Sequence, residues 1–162
     1  MSPAADPGLA LLRHAVATVA YRGGKSLRGA PASFARFSAG GKARTPEQIL
    51  AHLGDLFDWA LSLVKGEETW NDSVPLPWEE EVARFHAALE RFDASLTSGQ
   101  PLRVSPEKLF QGPLADALTH VGQIAILRRL AGSPVRGENY FRAEIEAGRV
   151  GRDQAAPRRE FD

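Results

Sequence analysis

Apolar side chains recur at alternating intervals of three and four residues in four separate segments of the chain. The pattern is most regular between Trp78 and Leu96, where every step along the apolar stripe is four or three residues. Such spacing gathers the apolar side chains on one face of an α-helix, which has 3.6 residues per turn. Four such faces must be buried against one another. We therefore predict an all-α fold, a four-helix bundle.

Start and stop signals give the approximate limits of these helices. We predict helices near residues 7–28, 45–65, 77–97 and 113–131. Thr45, Pro46 and Gln48 are typical of a capped helix start, and Gly112-Pro113 is interpreted as the start of the fourth helix. The first connection spans about 16 residues and the third also exceeds a tight turn, so we expect an antiparallel bundle with long crossover loops.

At 162 residues the chain has the length of one domain, and we predict a single domain over residues 1–162. The bundle core is expected at about 7–135. Residues 136–162 are predicted to form an irregular C-terminal tail packed on the surface, with one short helix from Glu138 to Ala147. Acidic residues lie among the tail's arginines, which favours a solvated tail over an anion-binding one.

The composition excludes several function classes. Lys plus Arg and Asp plus Glu both number 20, so no global basic field is available to attract nucleic acid or an anionic membrane. The chain has no cysteine, which excludes disulfides, thiolate metal sites and a cysteine nucleophile. Neither a signal peptide nor an apolar run of membrane-spanning length is apparent, so we expect a cytoplasmic protein.

Two histidines and an aspartate form the candidate site. Asp116 and His120 lie four residues apart on the fourth predicted helix, so both side chains can address one point. His52 interrupts the apolar face of the second helix. Two imidazoles and a carboxylate suit a divalent metal such as zinc, nickel or iron, with coordination positions left open for water or substrate.

Two further residues are assigned to the surroundings of this metal site. Asp55 follows His52 by three residues, and Gln123 follows His120 by three, so each is a candidate to orient a ligand ring or to line the mouth of the site. Each residue also has a structural alternative: His52 as a hydrogen-bonded core residue, Asp116 as a residue that only orients His120, Asp55 on a solvated rim of the helix, and Gln123 in an interhelical hydrogen bond.

Several of these residues resemble a known family. The segments Ala51-His52-Leu53-Gly54-Asp55 and Thr119-His120-Val121-Gly122-Gln123-Ile124, the tryptophan at the start of the third helix, and Leu127-Arg128-Arg129-Leu130-Ala131-Gly132 resemble the DinB/YfiT-like superfamily of putative metalloenzymes. The resemblance covers about residues 7–135. It implies a four-helix bundle that is often homodimeric, with a divalent metal at one end.

The resemblance also implies a ligand set and an activity. The family's second-helix histidine corresponds to His52, and the last histidine of its HxxxH pair corresponds to His120. Asp116 stands where the family has the other histidine of that pair, which would give two histidines and a carboxylate. The expected function is a metal-dependent, thiol-dependent S-transferase or a hydrolase, with a low-molecular-weight thiol or another small molecule as substrate. The alternative is a non-catalytic bundle that dimerises or binds a ligand and keeps a vestigial metal site.

Overall fold

The computed structural model describes residues 6–162, which fold as an all-α bundle of four helical units. The first three are α1 (Pro7–Leu27), α2 (Pro46–Lys65) and α3 (Trp78–Leu96). The fourth combines a short helix α4 (Pro106–Leu109), a π-helical turn (Phe110–Leu114) and α5 (Ala115–Leu130). The predicted fold class is confirmed. No helix within the described part of the chain is both long and apolar enough to cross a membrane.

The apolar stripes read from the sequence form the core of the bundle. Val16 and Val19 of α1, Phe85 and Leu89 of α3, and Leu53 of α2 are at most 1 % exposed. Helix α2 begins as predicted, with the Thr45 N–H donating to the Gln48 side chain at 2.9 Å. Burial of these stripes supplies the main driving force for the bundle.

The direction of the helices differs from the expectation of an antiparallel bundle. Arg84 of α3 reaches Asp55 of α2, and Arg91, two turns later, reaches Asp58, so α2 and α3 run parallel. Parallel neighbours require a connection that returns along the bundle. The crossover is therefore the second connection, residues 66–77, and not the first or third.

Arg84 ties α2 to α3 at the centre of this parallel pair. Its guanidinium donates to the carboxylates of Asp55, Glu81 at 3.0 Å and Asp58 at 3.2 Å. Asp55 and Glu81 are almost fully buried, so each needs a charged partner. The arginine can lie across α2 because Gly54 has no side chain: a Cβ there would stand 2.8 Å from the Arg84 Nη1 atom.

The buried carboxylates of Asp55 and Glu81 also fix the position of the crossover. Asp55 accepts hydrogen bonds from the backbone N–H of Ser73 at 2.9 Å and from its hydroxyl at 2.6 Å. Glu81 accepts from the backbone N–H of Leu76 at 2.8 Å. One buried charge network thus sets both the packing of α2 on α3 and the path of the loop between them.

The fourth helical unit begins seven residues before its predicted start. Ser105 caps it and Pro106 takes its first turn, so residues 106–112, which precede the predicted start, are helical. Pro113 does not open the helix but lies inside the π-helical turn. A proline lacks the N–H that an α-helix interior would use, and the wider π turn accommodates it without ending the helix.

The C-terminal tail is largely irregular, as predicted, but the short helix predicted from Glu138 to Ala147 does not form. Strand β1 (Gly137–Glu138) instead pairs antiparallel with β2 (Glu160–Phe161), and only Tyr140–Arg142 makes a 3₁₀ turn. The buried Glu138 carboxylate accepts from the Tyr21 hydroxyl and from the Lys25 ammonium of α1, both at 2.7 Å. These two hydrogen bonds hold Glu138 in a strand against α1.

Replacing Arg84 by methionine should lower the free energy of unfolding by about 3–5 kcal/mol, because two buried carboxylates lose their charged partner. The matched control, Arg91→Met, removes an ion pair whose arginine side chain is 50 % exposed and should cost less than about 1 kcal/mol. Urea unfolding of both variants measures the difference. Equal losses would show that the Arg84 network does not hold α2 and α3 together.

Candidate metal centre

The three predicted ligands meet where α2 packs against α5. These helices run antiparallel: Trp59 of α2 lies against Gly112, and His52, two turns earlier, faces Asp116 and His120, which lie one turn apart near the middle of the fourth helical unit. One ligand atom from each residue lies within 4.8 Å of the other two. The His52 Nε2 atom is 3.5 Å from Asp116 Oδ2, and the His120 Nε2 atom is 3.4 Å from Asp116 Oδ1.

These separations match those of ligands around a small divalent cation. Metal–ligand bonds of about 2.0–2.1 Å at tetrahedral angles separate neighbouring ligand atoms by about 3.4 Å. A direct hydrogen bond between imidazole and carboxylate would be shorter, at about 2.7–2.9 Å for a charged pair. The distances between the Asp116 oxygens and the two Nε2 atoms therefore match those between ligands of one metal ion, and the three residues fit such an ion.

Gln123 fixes the orientation of the His120 ring. The His120 Nδ1 atom is 2.7 Å from the Gln123 Oε1 atom. An amide oxygen only accepts, so Nδ1 carries a hydrogen and donates it, and Nε2 is the ring nitrogen that faces the cluster. Orientation of a metal-binding histidine through its second ring nitrogen is usual in metal sites.

The surroundings of His52 favour its neutral, metal-binding form. Burial lowers the pKa of His52, and the nearby His120 and Arg44 lower it further, against the raising effect of Asp116. Its side chain is 17 % exposed, and that of His120 is 12 % exposed. Asp116, at 46 % exposed, remains accessible from solvent. The cluster is thus sheltered on the histidine side and open on the carboxylate side.

Asp55 does not lie on a solvated rim of α2, since it is 3 % exposed, and it forms no hydrogen bond with the rings of His52 or His120. Both of its carboxylate oxygens are occupied by Ser73 and Arg84. It does line a cleft of about 450 Å³ together with His52, Lys42 and residues of the crossover. Asp55 therefore lies at the rim of the site, where it fixes the crossover through Ser73.

The crossover adds a residue that the sequence reasoning did not assign to the site. The Trp70 ring packs edge-on against His52, with ring centroids 5.5 Å apart, and against Trp59 at 5.9 Å. The two tryptophans, His52 and Asp116 line an open cleft of about 700 Å³. A tryptophan in a loop between helices was the available signal, but its place beside His52 depends on the path of the crossover.

A second cleft approaches the cluster from the other side. It has a volume of about 350 Å³ and is lined by His120, Gln123, Arg44 and the apolar side chains of Ile49 and Ile126. Arg44 also lines the rim cleft beside His52. The cluster therefore borders an aromatic cleft on one side and a cleft with a cationic side chain on the other.

No protein-family model, curated protein or solved structure matches the chain. The DinB/YfiT-like resemblance accordingly remains a prediction from the motifs, and the case for the site depends on its own geometry.

Replacing Gln123 by leucine should weaken zinc binding by about 10- to 100-fold, because the His120 ring loses the partner that fixes its tautomer and orientation. Gln111→Leu is the matched control, since Gln111 lies in the same helical unit and is exposed. Competition titrations with a chromogenic zinc chelator measure both affinities. Equal affinities for the two variants would show that Gln123 does not support a ligand.

Proposed function

We propose that this protein is a divalent-metal-dependent enzyme of the DinB-like type, in which His52, Asp116 and His120 hold the metal. The observation that carries the proposal is the convergence of both Nε2 atoms on the two oxygens of one carboxylate at 3.4 and 3.5 Å. Zinc, nickel and ferrous iron all accept this ligand set. Three protein ligands leave at least one coordination position for another molecule.

The proposed reaction is transfer to a low-molecular-weight thiol, or hydrolysis, at that open position. A bound divalent cation lowers the pKa of water or of a thiol, which supplies a nucleophile near neutral pH. The chain has no cysteine, so any sulfur nucleophile must come from outside the protein. We assign the thiol reaction as the first choice because the motif resemblance is to a family that uses such thiols.

Other residues around the proposed metal orient a ligand ring and contact the substrate. Gln123 holds the His120 ring in the binding tautomer. Trp59 and Trp70 form an apolar wall beside the metal ligands, where they exclude water from one side and pack against the body of a substrate. Arg44, at the edge of the opposite cleft, offers a cation to an acidic group of substrate or thiol.

Cobalt spectroscopy tests the proposal directly. The full-length chain, purified without an affinity tag and titrated with Co²⁺, should bind one ion and develop visible d–d absorption. Addition of glutathione should then produce a near-ultraviolet sulfur-to-cobalt charge-transfer band, which no residue of a cysteine-free chain can generate. S-methylglutathione should give no band. His120→Ala should lose stoichiometric cobalt binding while its circular dichroism stays helical.

Activity is measured on the same samples. The metal-loaded protein should accelerate the reaction of glutathione with 1-chloro-2,4-dinitrobenzene, in which sulfur replaces chloride, or the hydrolysis of 4-nitrophenyl acetate, and His120→Ala should not. Cobalt binding without a thiol band but with hydrolysis would favour the hydrolase. Wild-type protein that binds no divalent metal at saturating concentration would contradict the proposal and favour the non-catalytic bundle with a vestigial site.

A further inference from the structure

A further cavity lies on the opposite side of the bundle from the metal cluster. It is bordered by the end of α1, the first half of α3 and the tail near residue 152, is open to solvent, and has a volume of about 400 Å³. We call it the α1–α3 cavity. Its main lining residues are Leu27, Arg28, Ala30, Val82, His86 and Arg152.

His86 is the buried polar group of this cavity. The residue is 5 % exposed, and its Nδ1 atom lies 3.4 Å from the backbone oxygen of Val150, to which it donates. The Nε2 atom has no hydrogen-bond partner among residues 6–162, yet it is not sealed off from solvent. Since Nδ1 carries the hydrogen of the neutral ring, Nε2 presents a lone pair to the cavity.

Burial lowers the pKa of His86 below its usual value, against the raising effect of the hydrogen bond to Val150, and the positive charges of Arg152 and Arg28 lower it further. The ring is therefore neutral near pH 7. The His86 Nε2 atom reaches solvent through the cavity, so in the free protein it can accept a hydrogen bond from water. A ligand that displaces this water keeps the hydrogen bond only if it has a hydrogen to donate.

Two guanidinium groups border the same cavity. The Arg28 Nη1 atom lies 3.2 Å from the position that a Cβ on Gly24 would take, so the arginine folds back over the end of α1. Arg28 is exposed, and no carboxylate among residues 6–162 forms a salt bridge with it. Arg152 pairs with Glu79 at 2.9 Å, and both of these side chains are more than half exposed. With His86 neutral, the lining carries two positive charges and one negative charge.

We propose that the α1–α3 cavity binds the phosphate group of a small phosphate monoester. The two guanidiniums suit the anionic oxygens, since arginine pairs with phosphate through charge-assisted hydrogen bonds. A monoprotonated phosphate also carries a hydroxyl that donates to His86 Nε2, whereas an ionised carboxylate has no such donor. The volume exceeds that of a phosphate alone, and Leu27, Ala30 and Val82 provide an apolar surface for an organic body.

Phenyl phosphate is the probe for this site, with benzoate as the carboxylate of similar shape. The metal-free chain is titrated at pH 7, where the His86 ring is neutral. The second pKa of a phosphate monoester is about 6, so the monoprotonated form is still present at that pH. Calorimetry should show saturable binding of one phenyl phosphate. Benzoate should bind at least tenfold more weakly, because it offers no hydrogen to His86.

Variants locate the binding. Arg28→Gln and Arg152→Gln should each weaken phenyl phosphate binding by about tenfold or more, the usual effect of losing a hydrogen bond to a charged group. Arg129→Gln, which removes an exposed arginine of α5 outside the cavity, is the matched control and should have little effect. Glu79→Gln should strengthen binding, because it frees Arg152.

Three results would overturn the proposal: no saturable binding of phenyl phosphate, benzoate binding as tightly, or arginine variants in the cavity that weaken binding no more than Arg129→Gln. Because metal-free protein is used and the cavity lies away from His52, Asp116 and His120, these results do not depend on the proposed enzymatic function.

Discussion

The organisation of the bundle depends on one buried charge network, in which Arg84 of α3 lies across Gly54 of α2 between the carboxylates of Asp55 and Glu81. Parallel packing of α2 on α3 places these charges together in the interior. A buried carboxylate is tolerated only when it is paired and hydrogen-bonded, so the network admits few other arrangements of the two helices. The network also makes the fold specific. The carboxylates accept hydrogen bonds from backbone N–H groups of the crossover at the same time, and so they fix the path of that loop.

The candidate metal centre follows from this arrangement. Because the crossover returns along α2, it carries Trp70 back to the ring of His52 and closes one side of the site. Because α5 runs antiparallel to α2, the i, i+4 pair of Asp116 and His120 faces the same ring. The ligands are held on two helices rather than on loops, an arrangement that gives a precise and preorganised site.

Much of this could be predicted from local patterns. Apolar periodicity gave α1, α2 and α3 within one residue at each end, and the spacing of Asp116 and His120 with the misplaced polarity of His52 gave the cluster. The predictions that were wrong concern features that depend on contacts between residues distant in sequence. The parallel direction of α3 requires Arg84 to meet Asp55, and the strand at Glu138 requires Lys25, which lies 113 residues earlier. The predicted start of the fourth helix is seven residues too late, because Pro113 is typical of a helix start but here lies within a π-helical turn that accommodates it.

His52, Asp116 and His120 should bind one metal ion between them. A crystal structure of the zinc-loaded protein, with anomalous scattering measured on both sides of the zinc absorption edge, tests this most directly. A single zinc ion should lie about 2.0–2.2 Å from both Nε2 atoms and from an Asp116 oxygen. Zinc bound at other residues, or a cluster that closes into direct imidazole–carboxylate hydrogen bonds without metal, would contradict it.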